Sequence, residues 1–298
     1  MSGLSWLASY PKSGNTWLRL ALASLRRGGG AVDINETTAV WDASAYSRRN
    51  FDRALDIEAS DLTPSEILCA RPEVFRTIAA RVTGPAIWKA HEACLRTPAG
   101  EPLFPPEATA AAVYIVRDPR DVVPSLAHHL TVSIDRAIAF LNDPEAVFSP
   151  AGSRLPPHLT QPLLTWSRHV ESWLDEAPFP ICLLRYEDMR VDPVAGLHKV
   201  AKTFGIEAGE AALAGAVEAT RFEVLREQEA RHGFRERPAG VSAFFRRGEV
   251  GGWRDTLTPA QVARIERDHG AVMDRLGYRG CLARDPGTAR DATTPGGC

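Results

Sequence analysis

The chain has 298 residues, of which 44% are apolar and 24% charged. That composition excludes a disordered or collagen-like chain, and the length suffices for one large α/β domain with a substantial core. The 37 acidic and 35 basic residues leave a formal charge of −2, so no global field favours nucleic acid or an anionic membrane, and any anion site must be local.

Lysine occurs only at Lys12, Lys89, Lys199 and Lys202. Where it survives in an arginine-rich background, its compact ammonium is a candidate for chemistry. The cysteines are Cys69, Cys94, Cys182, Cys281 and Cys298, widely spaced and without a C-x-x-C pair. This argues for a reducing compartment and against a disulfide framework or a zinc site. No leader-like segment precedes the first apolar run, and no apolar stretch reaches the ~18 residues of a membrane span. The expectation is a soluble, cytoplasmic protein.

Leu4–Ser9 reads as a strand that stops at Tyr10-Pro11. A glycine-containing turn and a helical pattern from Thr16 to Arg26 follow, and Gly28-Gly29-Gly30 ends that helix. Residues 31–80 mix short helical patterns with loops. Ala86–Lys89 and Ala110–Val116 read as further strands, the latter followed by Asp118 as N-cap and Pro119 as first helical residue. Residues 142–163, rich in Pro, Ser and Gly, are expected to form a long surface loop, a candidate lid. A helix over 163–176, a strand over 180–185 and helices over 193–204, 208–219 and 259–276 complete the pattern. The tail 281–298 is expected to be disordered. Apolar strands alternating with helices predict a single α/β domain over 1–280, with a central parallel sheet flanked by helices.

The first chemical signal is Tyr10-Pro11-Lys12-Ser13-Gly14-Asn15-Thr16-Trp17, between a strand and a helix. Gly14 permits close backbone approach. The helix N-terminus offers free N–H groups and a partial positive charge, and Lys12, Ser13, Asn15 and Thr16 add donors. The spacing of a Walker A loop is absent. The octapeptide resembles the phosphosulfate loop of sulfotransferases that use 3′-phosphoadenosine 5′-phosphosulfate (PAPS), with Asn15 where the cytosolic members carry Thr.

Further segments resemble that family in order. Arg117 at a strand end, followed by Ser125, is similar to its 3′-phosphate segment; Arg offers a planar fork to a dianion and Ser a hydroxyl. Pro124 stands inside the helix between them. Tyr186-Glu187-Asp188-Met189 matches a family motif, and Thr220-Arg221-Phe222 is similar to another, in which the ring packs on adenine opposite the equivalent of Trp17. Phe245-Arg246-Arg247-Gly248 through Trp253 resembles the late glycine-rich loop, with Arg246, Arg247 and the Gly248 N–H directed at the 3′-phosphate. The loop over 12–17 is most similar to bacterial members that sulfate natural products such as glycopeptides.

The resemblance implies a nucleotide site made by Lys12, Ser13, Gly14, Asn15, Thr16, Trp17, Arg117, Ser125, Tyr186, Thr220, Phe222, Arg246, Arg247 and Gly248. It also implies that the end of the second strand, Trp88-Lys89-Ala90-His91, carries the general base, His91. Lys12 would steady the leaving phosphate oxygen; Lys89 would stabilise the sulfuryl group or hold the acceptor oxygen. His128 and His129 are the competing bases. PAPS is the implied donor, its desulfated product PAP (adenosine 3′,5′-bisphosphate) is released, no metal is needed, and the acceptor is a small molecule carrying a hydroxyl or, second, an amine. Two rival readings share a phosphate loop: a nucleotide-dependent kinase or NTPase, and a nucleotide-binding protein without catalysis. The family's dimer motif is degraded at Arg254–Ala263, which leaves the oligomeric state open.

Overall fold

The computed structural model describes residues 3–35, 44–149, 156–238 and 240–279. The first strand, β1 (Leu4–Ser9), contains no charge, and all six of its residues are buried. A strand covered on both faces belongs inside a parallel sheet. β1 lies between β2 (Ala86–Ala90) and β3 (Thr109–Val116), parallel to both, and β4 (Cys182–Arg185) pairs with the far side of β3. The order is thus β2-β1-β3-β4, the parallel sheet that the sequence pattern predicts.

Alternation along the strands sends side chains to two cores. Trp6, Ala8, Tyr114 and Val116 enter one; Leu7, Val113 and Ile115 enter the other. The helices, in chain order, are α1 (Asn15–Arg26), α2 (Arg48–Leu55), α3 (Pro64–Ala79), α4 (Pro119–Leu130), α5 (Ile134–Leu141), α6 (Trp166–Leu174), α7 (Tyr186–Val191), α8 (Pro193–Thr203), α9 (Glu210–Ala219), α10 (Phe222–His232) and α11 (Pro259–Arg275). α1, α8 and α9 supply the apolar residues on the Leu7 side, while α3, α6 and α11 cover the Trp6 side. The Trp6 ring meets Phe75 at 5.0 Å and Phe104 at 4.8 Å, edge to face, and its Nε1–H donates to Thr109 Oγ1 at 2.9 Å. A large ring is thereby buried without an orphaned donor.

Several elements depart from the sequence expectation. α6 is shorter than the predicted helix. α5 and α10 were not predicted; α10, FEVLREQEARH, holds few apolar residues at helical spacing. Residues 142–163 are not a surface loop throughout. Val147–Phe148 pairs antiparallel with Gln161–Pro162, and Leu159, Gln161 and Leu163 are buried. Residues 150–155 of that loop and the tail 281–298 lie outside the described residues. Among the described residues no helix is long and apolar enough to cross a membrane.

One buried ion pair joins α3 to the end of β2. The Arg71 guanidinium donates to the Glu92 carboxylate and, at 2.9 Å, to the carbonyl of Ala45; both charged side chains are shut off from solvent. The second Glu92 oxygen accepts from the backbone N–H of His91 at 3.1 Å, and Trp173 Nε1–H donates to the Glu92 carbonyl at 2.9 Å. Breaking such a pair strands a charge in the core, which costs about 3–5 kcal/mol. Arg71→Met is therefore expected to lower the unfolding free energy by about that amount in urea titrations. A loss below about 1 kcal/mol would show that the pair is not a determinant of the fold.

Candidate active site

Because β1, β2 and β3 are parallel, their C-terminal ends share one edge of the sheet, the position where open α/β sheets bind ligands. A cavity of about 1090 Å³ opens there. Of the residues assigned to the nucleotide site and of Lys89 and His91, all but Ser13 and Thr220 line it.

The turn between β1 and α1 is tight. Lys12 adopts φ 70° and Gly14 φ 104°, and a Cβ at Gly14 would stand 2.6 Å from the Tyr186 ring. Only glycine permits that approach. The first residues of α1 consequently border the cavity with the free N–H groups of a helix start. The Asn15 amide, expected as a donor to a ligand, donates instead to the Leu7 carbonyl at 2.9 Å and to Ser9 Oγ at 3.3 Å, which ties the loop to β1. Ser13 is fully buried and its hydroxyl has no partner among the described residues.

Two rings and one carbonyl shape the next part of the cavity. Trp17 Nε1–H donates to the Thr220 carbonyl at 3.0 Å, so Thr220 orients the indole through its backbone. Its own hydroxyl is buried and donates to the Ala216 carbonyl at 2.7 Å, which corrects the expectation that it faces a ligand. Phe222 packs where a Cβ on Gly248 would intrude at 2.5 Å, and Gly248 has φ 64°.

Arg117 leaves the end of β3 and links two loops. It donates to the Lys12 carbonyl at 3.2 Å and to the Glu249 carbonyl at 2.8 Å, and its guanidinium lies 4.5 Å from the centre of the Tyr186 ring. Tyr186 O–H donates to the Gly248 carbonyl at 2.8 Å. α4 runs unbroken through Pro124, and Ser125 reaches the cavity. Two buried carboxylates hold the late loop by its backbone. Glu229 accepts from the N–H groups of Phe244 and Phe245 at 2.7 and 2.9 Å; Asp121 accepts from those of Gly251 and Trp253 at 2.7 and 3.0 Å. Arg246 and Arg247 are fixed between these anchors.

The His91 ring is oriented by a group that can only accept. Nδ1–H donates to the Ser9 carbonyl at 2.9 Å, so Nε2 keeps its lone pair. Burial, and then the Lys89 charge, push its pKa well below the usual 6.5. The Tyr46 ring is stacked with the imidazole, 6.2 Å between centres and 11° between planes. Behind it, His169 Nε2–H donates to the His91 carbonyl at 2.9 Å, and Tyr114 O–H donates to His169 Nδ1 at 2.8 Å. The competing histidines are less suited. His128 Nε2–H donates to the Ala243 carbonyl at 2.9 Å and does not line the cavity. His129 does line it, and burial and then Lys12 press its pKa down to about 3, but among the described residues no hydrogen bond orients its imidazole as Ser9 orients that of His91.

The charge balance of the cavity is uneven. Burial, and then the nearby Lys89 and Arg117, push the Lys12 ammonium down to about 7, and its Nζ sits 4.2 Å from the centre of the Phe244 ring. Glu236 pairs with Lys89 at 3.5 Å and with Arg19. Burial acts to raise its pKa, but those two cations hold it at about 2. Glu236, Tyr46, Glu229 and Asp121 were not found from sequence. An acid between Arg235 and Arg237, or within α10, has no local signature that separates it from a solvated one. Among the described residues no group of three or more His, Cys, Asp or Glu is placed to hold a metal ion.

The sulfotransferase domain family matches residues 4–277. Cytosolic sulfotransferase 16 of Arabidopsis thaliana is 34% identical over 185 residues, which cover 58% of this chain and 52% of that protein. Cytosolic sulfotransferase 13 of the same plant is 25% identical over 278 residues, 88% of this chain and 74% of that protein. Among solved structures, retinol dehydratase in complex with androsterone and the inactive cofactor PAP superposes with a TM-score of 0.57 at 19% identity, covering 96% of this chain and 83% of that one. The last likeness is one of fold.

The role of Glu229 has a local readout. Glu229→Ala orphans two backbone N–H groups, so the loop around Phe244–Gly248 is expected to exchange its amide hydrogens about tenfold or more faster, while β1 stays protected. Unchanged protection at Phe244 and Phe245 would show that the carboxylate does not hold the loop.

Proposed function

Since the chain belongs to the sulfotransferase domain family, we propose that it moves a sulfuryl group from PAPS to a hydroxyl, ahead of an amine, of a small-molecule acceptor, with His91 as general base. We take residues 1–280 as the catalytic unit and the cytoplasm as its location; the cytosolic sulfotransferases among its relatives support the latter. The similarity of the 12–17 loop to bacterial natural-product enzymes supports a natural product as acceptor. The observation that carries the reading is the His91 geometry: a neutral imidazole, its Nδ1 hydrogen committed to Ser9 and its Nε2 lone pair free, on the wall shared with Lys12 and Lys89.

The cavity fits the donor. Lys12, Arg246 and Arg247 form no ion pair among the described residues, Arg117 keeps a buried Nε without a partner, and Gly14 and Gly248 leave backbone where a side chain would block approach. PAPS supplies a sulfuryl group already activated by its phosphate leaving group. Trp17 and Phe222 offer faces for a purine; Arg117, Ser125, Arg246 and Arg247 offer donors for the 3′-phosphate. His91 Nε2 takes the proton of the acceptor hydroxyl as the new O–S bond forms. Lys12 opposes the charge that develops on the departing phosphate oxygen, and Lys89 steadies the transferring group. A base with a depressed pKa needs no alkaline medium to be neutral.

Removing the base tests the assignment. His91→Ala is expected to reduce turnover by ~10²–10⁴ with PAP affinity nearly intact by calorimetry. If more than a tenth of the wild-type rate remains, His91 is not the base.

The donor assignment is tested by selectivity. PAP is expected to bind about a hundredfold tighter than AMP, since a hydrogen bond to a charged group contributes ~1.5–3 kcal/mol and ~1.4 kcal/mol is tenfold. ATP with Mg²⁺ binding as tightly as PAP would turn the assignment toward a kinase.

Lys12 adds a proton signature. Burial and the neighbouring cations push its amine down to about 7, so at about pH 8 it is expected to be mostly neutral when free and to regain its proton beside a bound phosphate. PAP binding is then expected to take up close to one proton at about pH 8, and affinity is expected to fall as pH rises above 7. Calorimetry in buffers of different ionisation enthalpy measures the uptake, and Lys12→Met should abolish it. No uptake in the wild type would show that Lys12 is already charged when free.

A further inference from the structure

Part of the positive charge lining the cavity has no counter-ion among the described residues. Arg49 and Arg53 stand four residues apart on α2, hence on one face of the helix, and both line the cavity. Like charges at that spacing destabilise a helix, and among the described residues no carboxylate pairs with them. Neither arginine makes an ion pair or a side-chain hydrogen bond among the described residues. Asp52, the acid between them, is turned the other way and accepts from the backbone N–H of Ala59 at 2.9 Å. Arg235 also lines the cavity, and its guanidinium makes no ion pair among the described residues. The neighbouring acid, Glu236, is occupied by Lys89 and Arg19.

The position of these cations follows from two bridges. Ser44 pairs with Lys89, and Ser47, the N-cap of α2, pairs with His158. The start of α2 therefore sits next to the strand that carries Lys89 and leads to His91. Between the base and α2 the wall is aromatic: Tyr46 faces His91, His158 meets Tyr46 at 5.1 Å, and Phe148 also lines the cavity. Burial, and then Lys89, keep the pKa of His158 below its ordinary value, so this stretch presents ring faces ahead of charge.

We infer that the acceptor is a hydroxylated, flat apolar molecule that carries an acidic group, an oxyanion received by Arg49 and Arg53 with Arg235 beside them. The inference rests on the sulfuryl-transfer reading and narrows its acceptor. Guanidinium forks match carboxylate, phosphate and sulfate oxygens alike; the shared chemistry is the oxyanion, which a carboxylate probe represents.

The test uses probes of like shape and different charge: para-hydroxyphenylacetate, its neutral amide and the cationic tyramine, with ω-hydroxyhexanoate, its amide and aminohexanol as an aliphatic set. Each is titrated calorimetrically into the protein saturated with PAP, and sulfation is followed in parallel with PAPS. The acid of each set is expected to bind about tenfold or more tighter than its amide, the amine weakest, and the gap is expected to narrow as salt is raised. In the Arg49→Gln/Arg53→Gln double variant the acid-to-amide ratio should fall toward one, with PAP affinity reporting that the fold persists. Equal binding of acid and amide by the wild type overturns the inference, as does absence of binding by all six probes. So does a double variant that weakens PAP and leaves the ratio standing, since the arginines would then serve the donor. Failure of PAP itself to bind is a different result: it removes the sulfuryl-transfer reading.

Discussion

The order β2-β1-β3, all parallel, is the constraint on which the chemistry of this molecule depends. Parallel strands end on the same edge, and each of the three delivers one component there. β1 runs into the Lys12–Gly14 turn, β2 leads to His91, and β3 ends at Arg117. An antiparallel neighbour would have sent one of these to the opposite side of the sheet. The Nδ1–H of His91 bonds to Ser9, the last residue of β1, so strand pairing and ring orientation are continuous.

Around that edge, buried carboxylates serve as backbone holders more than as reagents. Glu92 takes the His91 N–H, Glu229 the Phe244 and Phe245 N–H groups, and Asp121 those of Gly251 and Trp253. Each removes orphan donors from a turn that would otherwise need water. The loops are thus rigid where the arginines and the imidazole leave them, and preorganisation of this kind is what a charge-stabilising site requires. Glu236 differs, because it faces two cations and tempers a cleft in which like charges crowd.

Much of this was legible in the residues. Alternation of short apolar runs with helical patterns points to the parallel sheet, and Lys12, Gly14–Trp17, Arg117, Lys89 with His91, and Arg246–Gly248 all come to one cavity. What escaped had physical causes. α10 is amphipathic only weakly, so its pattern is set by tertiary packing. Thr220 and Asn15 sit in the right segments, but a hydroxyl or amide near a helix end bonds to whichever carbonyl is closest, here Ala216 and Leu7. The partners of Glu229 and Glu236 lie on other segments, and no spacing rule connects an acid to a distant N–H or ammonium.

Lys12 has one more property that follows from where it sits. A surface amine stays protonated, and so unreactive toward electrophiles, until far into the alkaline range. An amine pushed down to about 7 offers its lone pair near neutrality. In a chain with four lysines, that sets Lys12 apart: an acylating reagent small enough to enter the cavity is expected to react there at milder pH than with an ordinary surface amine, and a ligand in the cleft is expected to shield it. The residue that the turn holds in a left-handed backbone is, by the same desolvation, an attachment point for a covalent probe.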